Sequence, residues 1–211
     1  MPDGIAPKSP YVYDAFISYS HVEIALAKRL SQRIRRYRPP RKIGLSRRRL
    51  VPFRDVEQLT ITGDLTDTLI ERLELSRILI VLCSPAAAES TYVTQEIKVF
   101  LKHHDHASIH IVLCSGEPET SIPRVLRDLL EEPLFVDLRQ ALSGISGYRR
   151  FKAETLRMIA ALHGVDYSKL AQEDEARRRR QRVLGSAAAL SLVMGLTAAY
   201  RIRHHRTFCL E

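Results

Sequence analysis

Tyr13-Asp14-Ala15-Phe16-Ile17-Ser18-Tyr19-Ser20 (YDAFISYS) is an apolar run that stops abruptly at small hydroxyl residues. It has the character of a buried strand. Immediately after it, Ile24, Leu26, Ala27, Leu30 and Ile34 recur near helical period, until Pro39-Pro40 ends the pattern. A strand that runs into a helix places Ser18 and Ser20 at a carboxyl strand end, where open α/β sheets bind their ligands. A site at this edge is therefore expected before any motif is named.

Four further apolar runs follow: Leu50 to Phe53, Ile78 to Cys83, Ile109 to Cys114 and Leu134 to Val136. Helical patterns separate them. Leu65, Leu69 and Leu73 mark one, Val93, Ile97, Phe100 and Leu101 a second, and Leu156, Ile159, Ala160 and Leu162 the last. Alternation of short strands and helices at this spacing predicts a parallel sheet covered on both faces. Periodicity establishes the α/β class and leaves the strand order open.

The chain has 211 residues, 45% hydrophobic and 27% charged, with a formal net charge of +9. That composition is globular, with length for one ordinary domain and an appendage. The charge is uneven. The last 35 residues hold eight arginines and one acid, Glu211, so the remainder carries 25 basic and 23 acidic residues. The basic signal left in the body is Arg33 to Arg49, which contains no acid. Such a run suits nucleic-acid phosphates or an anionic lipid surface. With Tyr37 alone there and no interleaved aromatic platform, a solvated helix end and loop is the favoured reading, and nucleic acid is not expected as a partner.

Cys83, Cys114 and Cys209 form no CxxC pair, and Cys83 and Cys114 are each the fourth residue of a copy of the pentapeptide IVLCS. Two similar buried strands explain the repeat, with the thiols as packing groups. His103, His104, Asp105, His106 and His110 bring imidazoles and a carboxylate close together, but adjacent helical residues point in different directions, so no metal site is predicted.

The stretches RLVPFRD (Arg49 to Asp55) and SRILIVLCSPAAAESTYVTQE (Ser76 to Glu96), taken with YDAFISYS, resemble Toll/interleukin-1 receptor (TIR) domains of bacterial type, over roughly residues 10 to 165. The resemblance implies a flavodoxin-like five-stranded parallel sheet of order 2-1-3-4-5 with helices on both faces. It also implies an NAD+ glycohydrolase in which Glu96 is catalytic, one helical turn after the aromatic Tyr92, where the family more often has tryptophan. An i, i+4 pair lies on one helical face, so Tyr92 and Glu96 can line one side of a pocket. Spacing alone equally allows Glu96 to be an exposed helix residue paired with Lys98 or Lys102.

Phe16, Ser18 and Ser84 are expected at the same sheet edge as substrate contacts, each also open to ordinary packing or helix capping. Arg54 and Asp55 fall in the position of the family's interaction loop, here without its usual proline. Arg54 suits a phosphate or carboxylate, or a local ion pair with Asp55 or Glu57. NAD+ enters this reading as substrate, and no cofactor is implied. Self-association through TIR domains is the implied partnership, with other TIR proteins as further candidates. The alternative to catalysis is a signalling module acting by TIR–TIR contact alone.

The expected organisation is a tail at 1–10, a TIR domain at 11–165, a charged juxtamembrane linker at 166–182, a transmembrane helix at 183–200 and a tail at 201–211. Val183 to Tyr200 is 18 residues without a charge, near the lower limit for a membrane span. The arginines are denser before it than after it, which predicts a single-pass protein with the TIR domain on the cytosolic side.

Overall fold

The computed structural model describes residues 10–44, 49–54, 66–130, 133–141 and 144–208; the side chains at 41, 185, 187–190, 192–193, 196 and 198–208 fall outside that description. The chain divides into two compact units, Met1–Arg38 with Ser46–Tyr167, and Pro39–Leu45 with Ser168–Glu211.

In the first unit the strands are β1 (Ala15–Ser18), β2 (Pro52–Arg54), β3 (Leu79–Cys83), β4 (Ile109–Leu113) and β5 (Phe135–Asp137). All pair in parallel, in the order β2-β1-β3-β4-β5. This is the order expected from the family resemblance, and each predicted apolar run overlaps a strand. Parallel neighbours require crossovers. Those described are α1 (Ile24–Arg36), α2 (Asp67–Glu74), α3 (Pro85–Glu89), α4 (Thr91–His103), α5 (Pro118–Ser121) and α6 (Arg124–Leu129); α7 (Gly144–His163) follows β5. The short helices α3, α5 and α6 had no sequence-based expectation, since about three turns of pattern are needed before a period shows and these helices supply one or two.

All five residues of β3 are buried because the strand is central and covered on both faces. Phe16, Leu79, Val81, Ile111 and Leu113 share one face and pack with Leu69 and Leu73 of α2, Val93, Ile97 and Phe100 of α4, and Leu126 of α6. The predicted stripe of α1 is buried at Leu26, Ala27, Leu30 and Ile34, and α1 packs against α7. Truncating a fully buried leucine such as Leu30 to alanine costs about 2–5 kcal/mol.

The second unit contains most of α8 (Tyr167–Phe208), one helix of 42 residues that runs through both the expected linker and the expected membrane segment. Among the described residues no helix is long and apolar enough to cross a membrane. The span expected at 183–200 is therefore not borne out, and many of its side chains lie outside the described residues. Those described include polar groups that dilute its apolar character. Ser186 and Thr197 turn their hydroxyls back onto the carbonyls of Val183 and Met194, at 2.9 Å each.

Candidate functional site

An all-parallel sheet brings every carboxyl strand end to one edge, and the order places the switch between connections to either side at β1 and β3. Phe16 and Ser18 are two apart on β1, so both face α2 and α4. Opposite them, Ser90 caps α4 by accepting from the Val93 amide at 3.3 Å, and the second turn of the helix presents Glu96.

Glu96 and Ser18 are both fully buried, and the Ser18 hydroxyl donates to Glu96 Oε2. This excludes the exposed-helix reading of Glu96: its carboxylate is turned inward while Lys98 is exposed. A carboxylate removed from water is costly unless donors or positive charge meet it. The Ser18 hydroxyl is one such donor.

Tyr92 is half-buried one turn before Glu96 and packs against the core cluster. Phe16 is wholly inside that cluster, its ring centroid 5.3 Å from that of Phe53. Ser84 is buried and caps α3, accepting from the Ala87 amide at 3.0 Å. Beside it Gly116, at φ 73°, closes the turn after β4; a Cβ there would collide with Ser121 Oγ and Pro85.

Arg54 is the last residue of β2, and its Nη1 donates to the Tyr19 hydroxyl at 3.0 Å. The local partners weighed for it, Asp55 and Glu57, lie outside the described residues, as does the interaction loop beyond Arg54. Tyr19, itself buried, stood in the opening octapeptide without a role and is the anchor that holds Arg54 at this edge.

Glu23 is another buried carboxylate. It is buried at the end of a single 3-10 turn, His21–Glu23, that Ser20 caps, and it accepts the Ser20 hydroxyl proton. Ser20-His21-Val22-Glu23 has the S-x-x-E spacing of a capping box. Two serines just after or at the end of β1 thus each hold a buried carboxylate.

Burial pushes the Cys83 thiol up to about 12, and the negative charge of Glu23 adds to the rise. Cys114 is pushed up in the same way, by burial first and then by Cys83 and Glu23. Thiols held protonated at neutral pH are packing groups, not nucleophiles.

The histidines diverge. His103 Nε2 lies 3.2 Å from Glu74 Oε1, His106 Nδ1 lies 3.1 Å from Asp105 Oδ1, and the His104 ring stacks on Phe100 with centroids 4.0 Å apart. His110 sits within β4, its pKa lowered by burial and then by Arg77. Among the described residues no three metal-ligating side chains converge.

Comparison with known proteins adds to this geometry. The family model described as TIR domain matches residues 15–181. A relative from Actinoplanes sp., named NAD(+) hydrolase ApTIR, is 31% identical over an alignment covering 90% of this chain and 29% of the relative. Among solved structures, the TIR domain of the Toll-related receptor TRR-2 from Hydra magnipapillata covers 70% of this chain and 98% of its own, at 16% identity and TM-score 0.41. The metazoan TIR-STING receptor from C. gigas covers 71% of this chain and 41% of its own, at 19% identity and TM-score 0.45. At those TM-scores the two structures carry no argument about function.

Proposed function

The chain belongs to the TIR domain family, and from that membership we propose that it hydrolyses the nicotinamide–ribose bond of NAD+. The observation that carries the reading is the fully buried Glu96 carboxylate held by Ser18 at the carboxyl edge of the sheet. The relative named as an NAD(+) hydrolase supports it, although the chain spans only 29% of that relative's length.

In the reaction the N-glycosidic bond breaks with its electron pair going to the pyridinium nitrogen, so nicotinamide leaves neutral and needs no proton. Positive charge develops on the ribosyl carbon, and water then adds there and loses a proton. A fixed carboxylate stabilises that charge, as in glycoside hydrolysis. Glu96 takes this role, and Ser18 keeps the carboxylate in one orientation. Tyr92 lines the helix face beside it, Ser84 offers a hydroxyl proton, and Arg54 is placed to meet a phosphate. Self-association of the domain through the loop of Arg54 and Asp55 belongs to the same proposal, as does a cytosolic site of action.

The test is nicotinamide release from NAD+ by the full-length protein at high concentration. Glu96→Gln keeps size and polarity but removes the charge, and turnover should fall by about 100- to 1,000-fold in a protein that still folds. Full activity in folded Glu96→Gln would overturn the role of Glu96. No turnover by the wild-type chain when clustered would favour the non-catalytic signalling module.

A further inference from the structure

The basic excess in and after α1 plays no part in the proposed reaction. In the fold the α1 part of it meets a second basic segment, on α7. Residues 24–36 of α1 and 144–153 of α7 contain no acid, and the two helices pack together. Arg29, Arg36, Arg149 and Arg150 are exposed, and Arg33 and Lys152 are half-buried. The Arg29 guanidinium lies 4.9 Å from the centroid of the buried Phe151 ring, which ties the two helices together, and Lys152 Nζ lies 4.4 Å from the Tyr148 ring. Asp137 borders the patch but is already held by Arg139 Nη2 at 2.9 Å.

Two apolar side chains stand among these cations. Ile145 is 78% and Tyr148 49% exposed, three residues apart on one face of α7. The Tyr148 phenol is held below its usual range by Lys152 first, with Arg33 and Arg29 adding.

We propose that the α1–α7 face is a docking surface for an anionic lipid bilayer, with its arginines and Lys152 on headgroup phosphates and Ile145 and Tyr148 entering the headgroup boundary. Positive charge alone would suit any polyanion. The exposed isoleucine decides between them, because it has no partner along a nucleic-acid backbone but gains burial at a bilayer interface, where tyrosine also accumulates. A second copy of the same face is a poor occupant, since two-fold pairing sets cations against cations. This surface is independent of the NAD+ reading and of the 183–200 segment of α8.

The test is co-sedimentation of the full-length protein with vesicles of phosphatidylcholine, with or without roughly a third phosphatidylglycerol. Arg36→Glu, Arg149→Glu and Arg150→Glu combined, confirmed folded by circular dichroism, should lower partitioning into the anionic vesicles by about 100-fold or more, at about fivefold per cation lost. Ile145→Ser with Tyr148→Ser should lower it several-fold without any change of charge. The proposal is overturned if the triple reversal binds like wild type while Arg177→Glu with Arg179→Glu abolishes binding, which assigns the lipid contact to α8. It is equally overturned if the Ile145 and Tyr148 pair has no effect on vesicles while the triple reversal chiefly abolishes binding to a short RNA duplex.

Discussion

Ser18, at the end of β1, donates its hydroxyl proton to Glu96 on α4, 78 positions later, with both side chains shut away from solvent. A hydrogen bond to a charged partner is worth about 1.5–3 kcal/mol. If Glu96 acts on NAD+, Ser18→Ala should lower kcat by about 10- to 100-fold while the thermal midpoint moves only modestly. Ser18→Thr keeps a hydroxyl and should recover part of the loss. Nicotinamide release alongside a thermal melt separates the two effects, and a Ser18→Ala enzyme with unchanged kcat would remove Ser18 from the site.

Arg54 reaches this edge because the Tyr19 hydroxyl accepts from it. Tyr19→Phe keeps the buried ring and deletes the anchor. Loss of one ordinary hydrogen bond corresponds to about a two- to tenfold effect, expected here in KM for NAD+ with kcat little changed. Arg54→Met should raise KM further, and steady-state kinetics on both variants tests the phosphate-binding role.

The two strand-end thiols predict an alkaline transition. The folded state keeps Cys83 protonated to about 12, against an ordinary value of 9.0, so from about pH 9 upward the unfolded chain binds fewer protons than the folded one. Stability is fully present below pH 9 and falls as pH rises above it, by up to about 1.4 kcal/mol per pH unit for each thiol. Thermal melts between pH 8 and 11 should show the slope, and Cys83→Ala should flatten it. In native protein both thiols should resist a disulfide reagent that labels them once the chain is unfolded.

Glu23 adds to the rise at both thiols, and it accepts the Ser20 hydroxyl at the turn that starts the helical crossover. Glu23→Gln should therefore lower the pH at which the alkaline loss of stability levels off, without changing the slope between pH 9 and that point. Glu23→Ala, which leaves Ser20 without its carboxylate in a buried turn, should destabilise the protein by about 1–3 kcal/mol. Denaturant titration of the two variants distinguishes the electrostatic effect from the structural one.

The five apolar runs were legible in sequence because a parallel sheet buries both of its faces, so its strands are almost continuously hydrophobic. The stripe of α1 was legible because thirteen helical residues repeat their period often enough to show it. Helices α3, α5 and α6, of four to six residues, contain too little pattern for that. The uncharged stretch 183–200 is a different case: local composition suggested a membrane segment, and among the described residues no helix is long and apolar enough to cross a membrane.

By itself the sequence determined the α/β class, the hydroxyl-rich end of β1 and the one-turn spacing of Tyr92 and Glu96, all of which are local in the chain. Whether Glu96 would be a solvated helix residue or an inward carboxylate was not local. Spacing allowed both, and the choice was made when β1 and α4 came together across 78 positions and shut Ser18 and Glu96 away from water. The partnership of Arg54 with Tyr19 across paired strands, and the meeting of the α1 and α7 cations on one face, have the same origin. Period and composition report which side of its own element a residue occupies, whereas its neighbour and its dielectric surroundings exist only after the elements have packed.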